Sequence, residues 1–136
     1  MDLDQQLASV PLLAGLEERV RKRLGEIGKR RTFQPDEVIV KEGAAGIALY
    51  VILSGSARVE HDGEVIGQLS AGDFFGELAL IEEHPRSATV VAADATECLL
   101  FPAWEFTALL EEHPEVAVPI MRELIKRLHR REHHGA

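Results

Sequence analysis

Between Phe33 and Phe101, short β-rich runs alternate with Gly, Pro and Asp punctuation. That rhythm confines the middle of the chain to a sandwich or barrel of short strands. Pro35-Asp36-Glu37 reads as a turn and Val38-Ile39-Val40 as a strand. Gly43 and Gly46 bracket a second turn. Ile47 to Leu53 is continuously apolar, which suits a buried strand. Ser54-Gly55 turns the chain, and Ala57 to His61 alternates, so one face is expected to be solvated. Asp62-Gly63 is a strong two-residue hairpin signal, with Glu64 to Leu69 as the returning strand. Ala88 to Ala92 and Thr96 to Phe101 complete the set, with Asp94 in the turn between them.

Helical periodicity flanks this region. Leu3, Leu7 and Val10 share a face until Pro11 breaks the pattern; Leu16, Val20, Leu24 and Ile27 then form one stripe. After Pro102, Trp104 to Leu110 reads as a short helix ending near His113-Pro114, with Trp104 and Phe106 as packing residues. Residues 115–131 read as another helix, with Ala117, Met121, Leu124, Ile125 and Leu128 on its apolar side. Pro119 predicts a kink or restart there, and a hinge is expected at that point. The division expected is one domain over 1–136: helices in 1–31, strands in 32–101 and helices in 102–131. The fold class is α+β, mainly β.

The chain has 136 residues and is 46% apolar, enough for a sizeable core. No apolar run approaches the ~20 residues of a membrane span. Cys98 is the only cysteine, so no internal disulfide forms, and a small core residue is expected rather than a reactive thiol. With no secretory leader evident, a cytoplasmic setting is expected.

Charge is strongly segregated. Residues 36–115 hold sixteen carboxylates against three bases, Lys41, Arg58 and Arg86. The other twelve bases lie in 19–31 and 122–131. An acidic centre argues against nucleic-acid binding there. It also leaves few residues besides Arg86 to neutralise an anion.

Residues 75–90 carry the chemistry of a small anion site. Gly76 lets backbone approach a ligand closely. Leu78 to Ile81 can form one helical turn whose free N–H groups cradle a phosphate. Pro85 stiffens the return, Arg86 brings a fixed charge with a planar donor fork, and Glu77 can accept from a hydroxyl. Elsewhere His61 and His84 fall at turns, and His129 and His133 have no carboxylate or cysteine clearly beside them. No metal site and no nucleophile–base constellation is therefore expected, which sets aside a metal-dependent cupin-type enzyme.

The spacing Phe33-x-Pro35-x-Glu37-x-Ile39, Gly43-x-x-Gly46-x-x-x-Tyr50-x-Ile52-x-x-Gly55-x-x-x-Val59 resembles the cyclic nucleotide-binding domain. So does Gly72-x-x-Phe75-Gly76-Glu77-Leu78-Ala79-Leu80 followed by Pro85-Arg86-Ser87-Ala88-Thr89-Val90. Such domains occur in bacterial transcription regulators, cyclic-nucleotide-dependent kinases and gated channels. The resemblance implies an eight-stranded antiparallel β-roll with helices before and after it. It implies that Arg86 pairs with the cyclic phosphate and that Glu77 accepts from the ribose 2′-OH. Backbone amides around Gly76, Leu78, Ala79 and Ser87 would complete the cradle, with Ala88 next in the motif. Arg122 falls where some members cap the base. Asp36 departs from the pattern, standing where the family usually has glycine.

The function implied is a cyclic-nucleotide sensor or regulatory module, cAMP favoured over cGMP, that signals through movement of its C-terminal helices. It would be no enzyme and need no cofactor beyond the ligand. Its partner would be an effector protein, with no nucleic acid and no membrane span. The chain ends at Ala136, directly after the last helix, so a helix-turn-helix reader is not expected within it. A fragment of a channel, kinase or transcription regulator is the alternative.

Overall fold

The computed structural model of the chain describes residues 2–76 and 84–135, and the side chains in that range except those of His84 and residues 130–135. Leu3–Ala8 forms α1, Pro11–Ala14 α2 and Glu18–Ile27 α3. Asp2 and Gln5 cap α1 reciprocally: each side-chain oxygen accepts from the other's backbone N–H at 2.9 Å. Pro11 opens α2 at its first position, where a missing N–H costs nothing. The stripe predicted for α3 is on the core side, with Val20 and Leu24 buried.

Ten strands form among the described residues: β1 (Lys29–Phe33), β2 (Val38–Val40), β3 (Ala45–Gly46), β4 (Ala48–Ser54), β5 (Ser56–His61), β6 (Glu64–Ser70), β7 (Phe74–Phe75), β8 (His84–Pro85), β9 (Thr89–Ala92) and β10 (Thr96–Pro102). They pair as β1-β10-β4-β7, β2-β9-β5-β6 and the small ladder β3-β8. Every pairing is antiparallel. This is the expected roll, with two-residue strands at β3, β7 and β8 raising the count. The first strand begins at Lys29, inside the segment expected to be helical. Gly28 ends α3, and Lys29, Arg30 and Arg31 then pair with Leu100, Leu99 and Cys98 on the neighbouring strand.

The sheet containing β4 and β10 is apolar on both faces, and this divides the core in two. Leu49 and Val51 of β4, Leu99 and Phe101 of β10 and Phe74 of β7 pack against the helices. Ile52, Cys98 and Phe75 from the same three strands turn into the roll, meeting Phe33, Ile39, Ala57, Val90 and Ala92. Alternation along a strand makes the split automatic, because successive side chains leave opposite faces. The continuous apolar run read from the sequence therefore serves two cores at once. It begins one residue late, since Ile47 is 70% exposed. The Ile47 carbonyl accepts from the Ala103 N–H at 2.8 Å.

After the roll come α4 (Ala103–Glu112), a 3-10 turn at Pro114–Val116 and α5 (Ala117–Gly135). Phe106 is fully buried and meets Phe101 edge-on at 5.8 Å. Trp104, expected to pack, is 73% exposed instead. It stands at the start of α4, two residues from Phe106, and so faces away from the core. On α5 the core side is Ile120, with Leu124 packed beside it. Met121, Ile125 and Leu128, expected on that side, are about half exposed. Pro119 falls in the first turn of α5, where its amide has no helical partner to lose, so no kink is required.

Asp36 explains its own departure from the family pattern. It has φ 70°, in a turn closed by the Glu37 N–H donating to the Gln34 carbonyl at 3.0 Å. Glycine adopts that conformation without strain. Aspartate tolerates it, and its carboxylate also meets Arg58 at 3.1 Å. Asp36→Gly is expected to raise stability by less than about 1 kcal/mol, relief of backbone strain outweighing a lost surface ion pair. Asp36→Val is expected to lower it by at least about 1 kcal/mol, read from urea unfolding midpoints.

Cys98 is fully buried, and burial pushes its thiol up to about 12. It stays protonated at neutral and mildly alkaline pH and so is a poor nucleophile. The native protein is expected to resist a thiol reagent that labels it readily in denaturant. Fast labelling without denaturant would show that the roll opens.

Candidate functional site

The site is built where β7 leaves its sheet and β8 pairs with β3. Phe75 is buried and stacks on Tyr50 with ring centroids 4.9 Å apart and planes 6° from parallel. Gly76 follows with φ 85°. A Cβ there would stand 2.6 Å from the Ala48 carbonyl oxygen and would also run into the Arg86 guanidinium. Only glycine lets the chain leave the sheet beside that charge.

Arg86 is held from several directions. Its backbone N–H donates to the Ala44 carbonyl at 2.8 Å, and its own carbonyl accepts from the Gly43 N–H at 2.8 Å. The β3–β8 pairing sets Ala45 opposite Pro85, the residue before it. Nη2 donates to the Ala48 carbonyl at 2.9 Å. The guanidinium lies 5.8 Å from the Tyr50 ring centroid. Burial pushes the Tyr50 phenol up, while the Arg86 charge pulls it the other way. The charge is thus half-buried, oriented by a backbone carbonyl and set beside an aromatic pair. Such preorganisation suits a small anion that can accept from a planar donor fork.

The other two bases of the acidic centre are Arg58 and Lys41. Arg58 is engaged by Glu60 at 2.6 Å and Asp36 at 3.1 Å. Lys41 is exposed. Ser87 is exposed and Ala88 half-buried, both directly after Arg86. Glu77, Leu78 and Ala79, and with them the helical turn expected at 78–81, lie outside the described residues. The structure therefore brings Gly76 and Arg86 together and sets Ser87 and Ala88 beside them.

Arg122 stands on the exposed side of α5. Another arginine of that helix, Arg127, meets the roll. Its guanidinium lies 4.1 Å from the Phe74 ring centroid, and Nη2 donates to the Phe74 carbonyl. Phe74 is only two residues before Gly76, so this contact ties α5 to the entrance of the site. The run of bases along α5 hid Arg127, because periodicity cannot tell which of them faces a neighbour.

The family model for the cyclic nucleotide-binding domain matches residues 30–113. A cGMP-dependent protein kinase from Toxoplasma gondii is 42% identical over 95 residues, covering 70% of this chain and 10% of the kinase. The Pycsar effector protein PaPycTIR from Pseudomonas aeruginosa is 34% identical over 131 residues, covering 95% of this chain and 42% of the effector. Among solved structures, the regulatory domain of Toxoplasma gondii PKA with cAMP superposes with TM-score 0.77 at 28% identity, covering 91% of this chain and 49% of that one. The chain thus spans less than half the length of each of these relatives. Roll, cassette spacing and family match agree: the chain belongs to the cyclic nucleotide-binding domain family.

Proposed function

We propose that residues 1–136 act as one regulatory module that binds a cyclic nucleotide monophosphate, with cAMP preferred to cGMP. The observation that carries this reading is Arg86, clamped through both backbone groups and Nη2 beside a glycine that admits no side chain. A cyclic phosphate is a monoanion, and one preorganised guanidinium with nearby amides matches it. Gly76, Leu78, Ala79 and Ser87 would donate those amides, Ala88 would line the mouth, and Glu77 would accept from the ribose 2′-OH. The preference for cAMP follows the solved relative that carries it; the kinase match, named for cGMP, is the reason to titrate both.

The module itself would do no chemistry and would need no cofactor. Whatever output follows would belong to an effector protein, in a cytoplasmic setting, without nucleic acid. No helix of the described residues is long and apolar enough to cross a membrane. Signalling would run through α5. Ligand must bind one arrangement of that helix better than another for any signal to pass. The Arg127–Phe74 contact supplies a link that rearrangement of the cassette would strain or release. Arg122, on the exposed side, would reach the base only after such a movement.

Calorimetric titration with cAMP, cGMP and 2′-deoxy-cAMP tests the reading. The parent protein is expected to bind cAMP best and to lose affinity when the 2′-OH is removed. Arg86→Ala is expected to weaken cAMP binding by at least about tenfold, the loss of one charge-assisted hydrogen bond. Unchanged affinity in that variant would overturn the assignment.

Gly76→Ala tests the close approach of backbone, Ala48 carbonyl and Arg86 guanidinium. It keeps Arg86 but drives a methyl group against the Ala48 carbonyl. Binding is expected to fall by at least about tenfold while far-ultraviolet dichroism remains that of the parent. Full binding in this variant would mean that the backbone does not pass as closely to the ligand as proposed.

A further inference from the structure

A second cluster of polar groups adjoins the loop that holds Arg86. His61 is the last residue of β5, and Asp62-Gly63 make the hairpin turn with φ 51° and 82°. Glu42 comes from the segment after β2. Its carboxylate lies 3.2 Å from His61 Nδ1, and the Asp62 carboxylate lies 3.3 Å from His61 Nε2. The Asp62 N–H donates to the same Glu42 oxygen at 3.4 Å. One ligand atom from each of the three residues can be chosen so that all lie within 4.8 Å of one another.

We propose that Glu42, His61 and Asp62 form a site for a borderline divalent cation such as Zn²⁺. One imidazole and two carboxylates are a competent set of hard and intermediate ligands for such an ion. Bond lengths of about 2.0–2.2 Å to nitrogen and oxygen require the two carboxylates to close on one ring nitrogen. Asp62 is largely exposed and His61 half exposed, which leaves room for this turn. Two carboxylates also neutralise the ion's charge. Solvent reaches His61 and Asp62, so water can complete the coordination shell.

The position of the site gives it a consequence. Glu42 donates its backbone N–H to Thr89 Oγ1 at 2.9 Å. The next two residues, Gly43 and Ala44, make the pair of backbone hydrogen bonds that hold Arg86. An ion joining Glu42 to the hairpin tip would therefore stiffen the support of Arg86 and tighten nucleotide binding. This second step rests on the function proposed above; the metal site does not.

Zinc titration of the full chain tests the site, with His129, His133 and His134 changed to Ala to remove competing ligands. The expected result is one ion per chain, weakened at least tenfold by His61→Ala and by Glu42→Gln. Zinc affinity unchanged in both variants, or no binding up to millimolar zinc, overturns the proposal. A second arm measures cAMP affinity with and without zinc. Zinc is expected to tighten binding in the parent and to have no effect in His61→Ala. Equal cAMP affinity with and without zinc in the parent removes the coupling and leaves the site. Absence of any nucleotide binding refutes the functional reading instead, and the zinc arm still reads out.

Discussion

Two-sided burial of the sheet formed by β4, β10 and β7 is the constraint on which the rest depends. Leu49, Val51, Leu99 and Phe101 are fully buried against the helices, while Ile52 and Cys98 are fully buried inside the roll. Each large apolar side chain buried this way contributes roughly 1.5–3 kcal/mol, so neither face can be given up cheaply. Helices and roll therefore share one wall. A shift of one residue in register would exchange the two sets and spoil both cores.

Phe74 and Phe75 carry that division into the site. They are consecutive, so they leave the sheet on opposite faces. Phe75 enters the roll and stacks on Tyr50, beside Arg86. Phe74 turns to the helices and lies under Arg127 of α5. The chain then leaves the sheet at Gly76. One dipeptide thus fixes the floor of the anion site and the contact point of the last helix. A change at one reaches the other through two adjacent residues.

Much of this was legible because its causes are local. Asp62-Gly63 must turn, since both residues adopt positive φ and few other pairs do so easily. The run from Ala48 to Leu53 must be buried because it is apolar at both parities. Cys98, in a strand that runs on through Leu99, Leu100 and Phe101, was readable as a core residue. What failed depends on neighbours remote in sequence. Trp104 and Phe106 are alike in composition, yet Phe106 is the one that meets Phe101. The apolar residues of α5 cover more of its surface than the core can use, so Ile120 and not Met121 is buried. Lys29 to Arg31 read as a helix end because three bases in a row carry no strand period; β10 makes them a strand. The Glu42–His61 contact joins residues 19 apart, across β3, β4 and β5, and no spacing rule reaches it.

The acid-rich centre is best understood through its three bases. Sixteen carboxylates between residues 36 and 115 make the roll hostile to anions at long range. Arg58 is matched locally by Glu60 and Asp36, so it does little to change that field. Arg86 has a carbonyl oxygen under Nη2 and an aromatic ring beside the guanidinium. An anion bound there, as proposed, would sit at a preorganised donor within a surface that discourages anions elsewhere. The same acidity suits a cation at Glu42, His61 and Asp62, a short loop away. Filling that site would cancel two of the surrounding carboxylate charges and so lessen the repulsion that an anion near Arg86 meets.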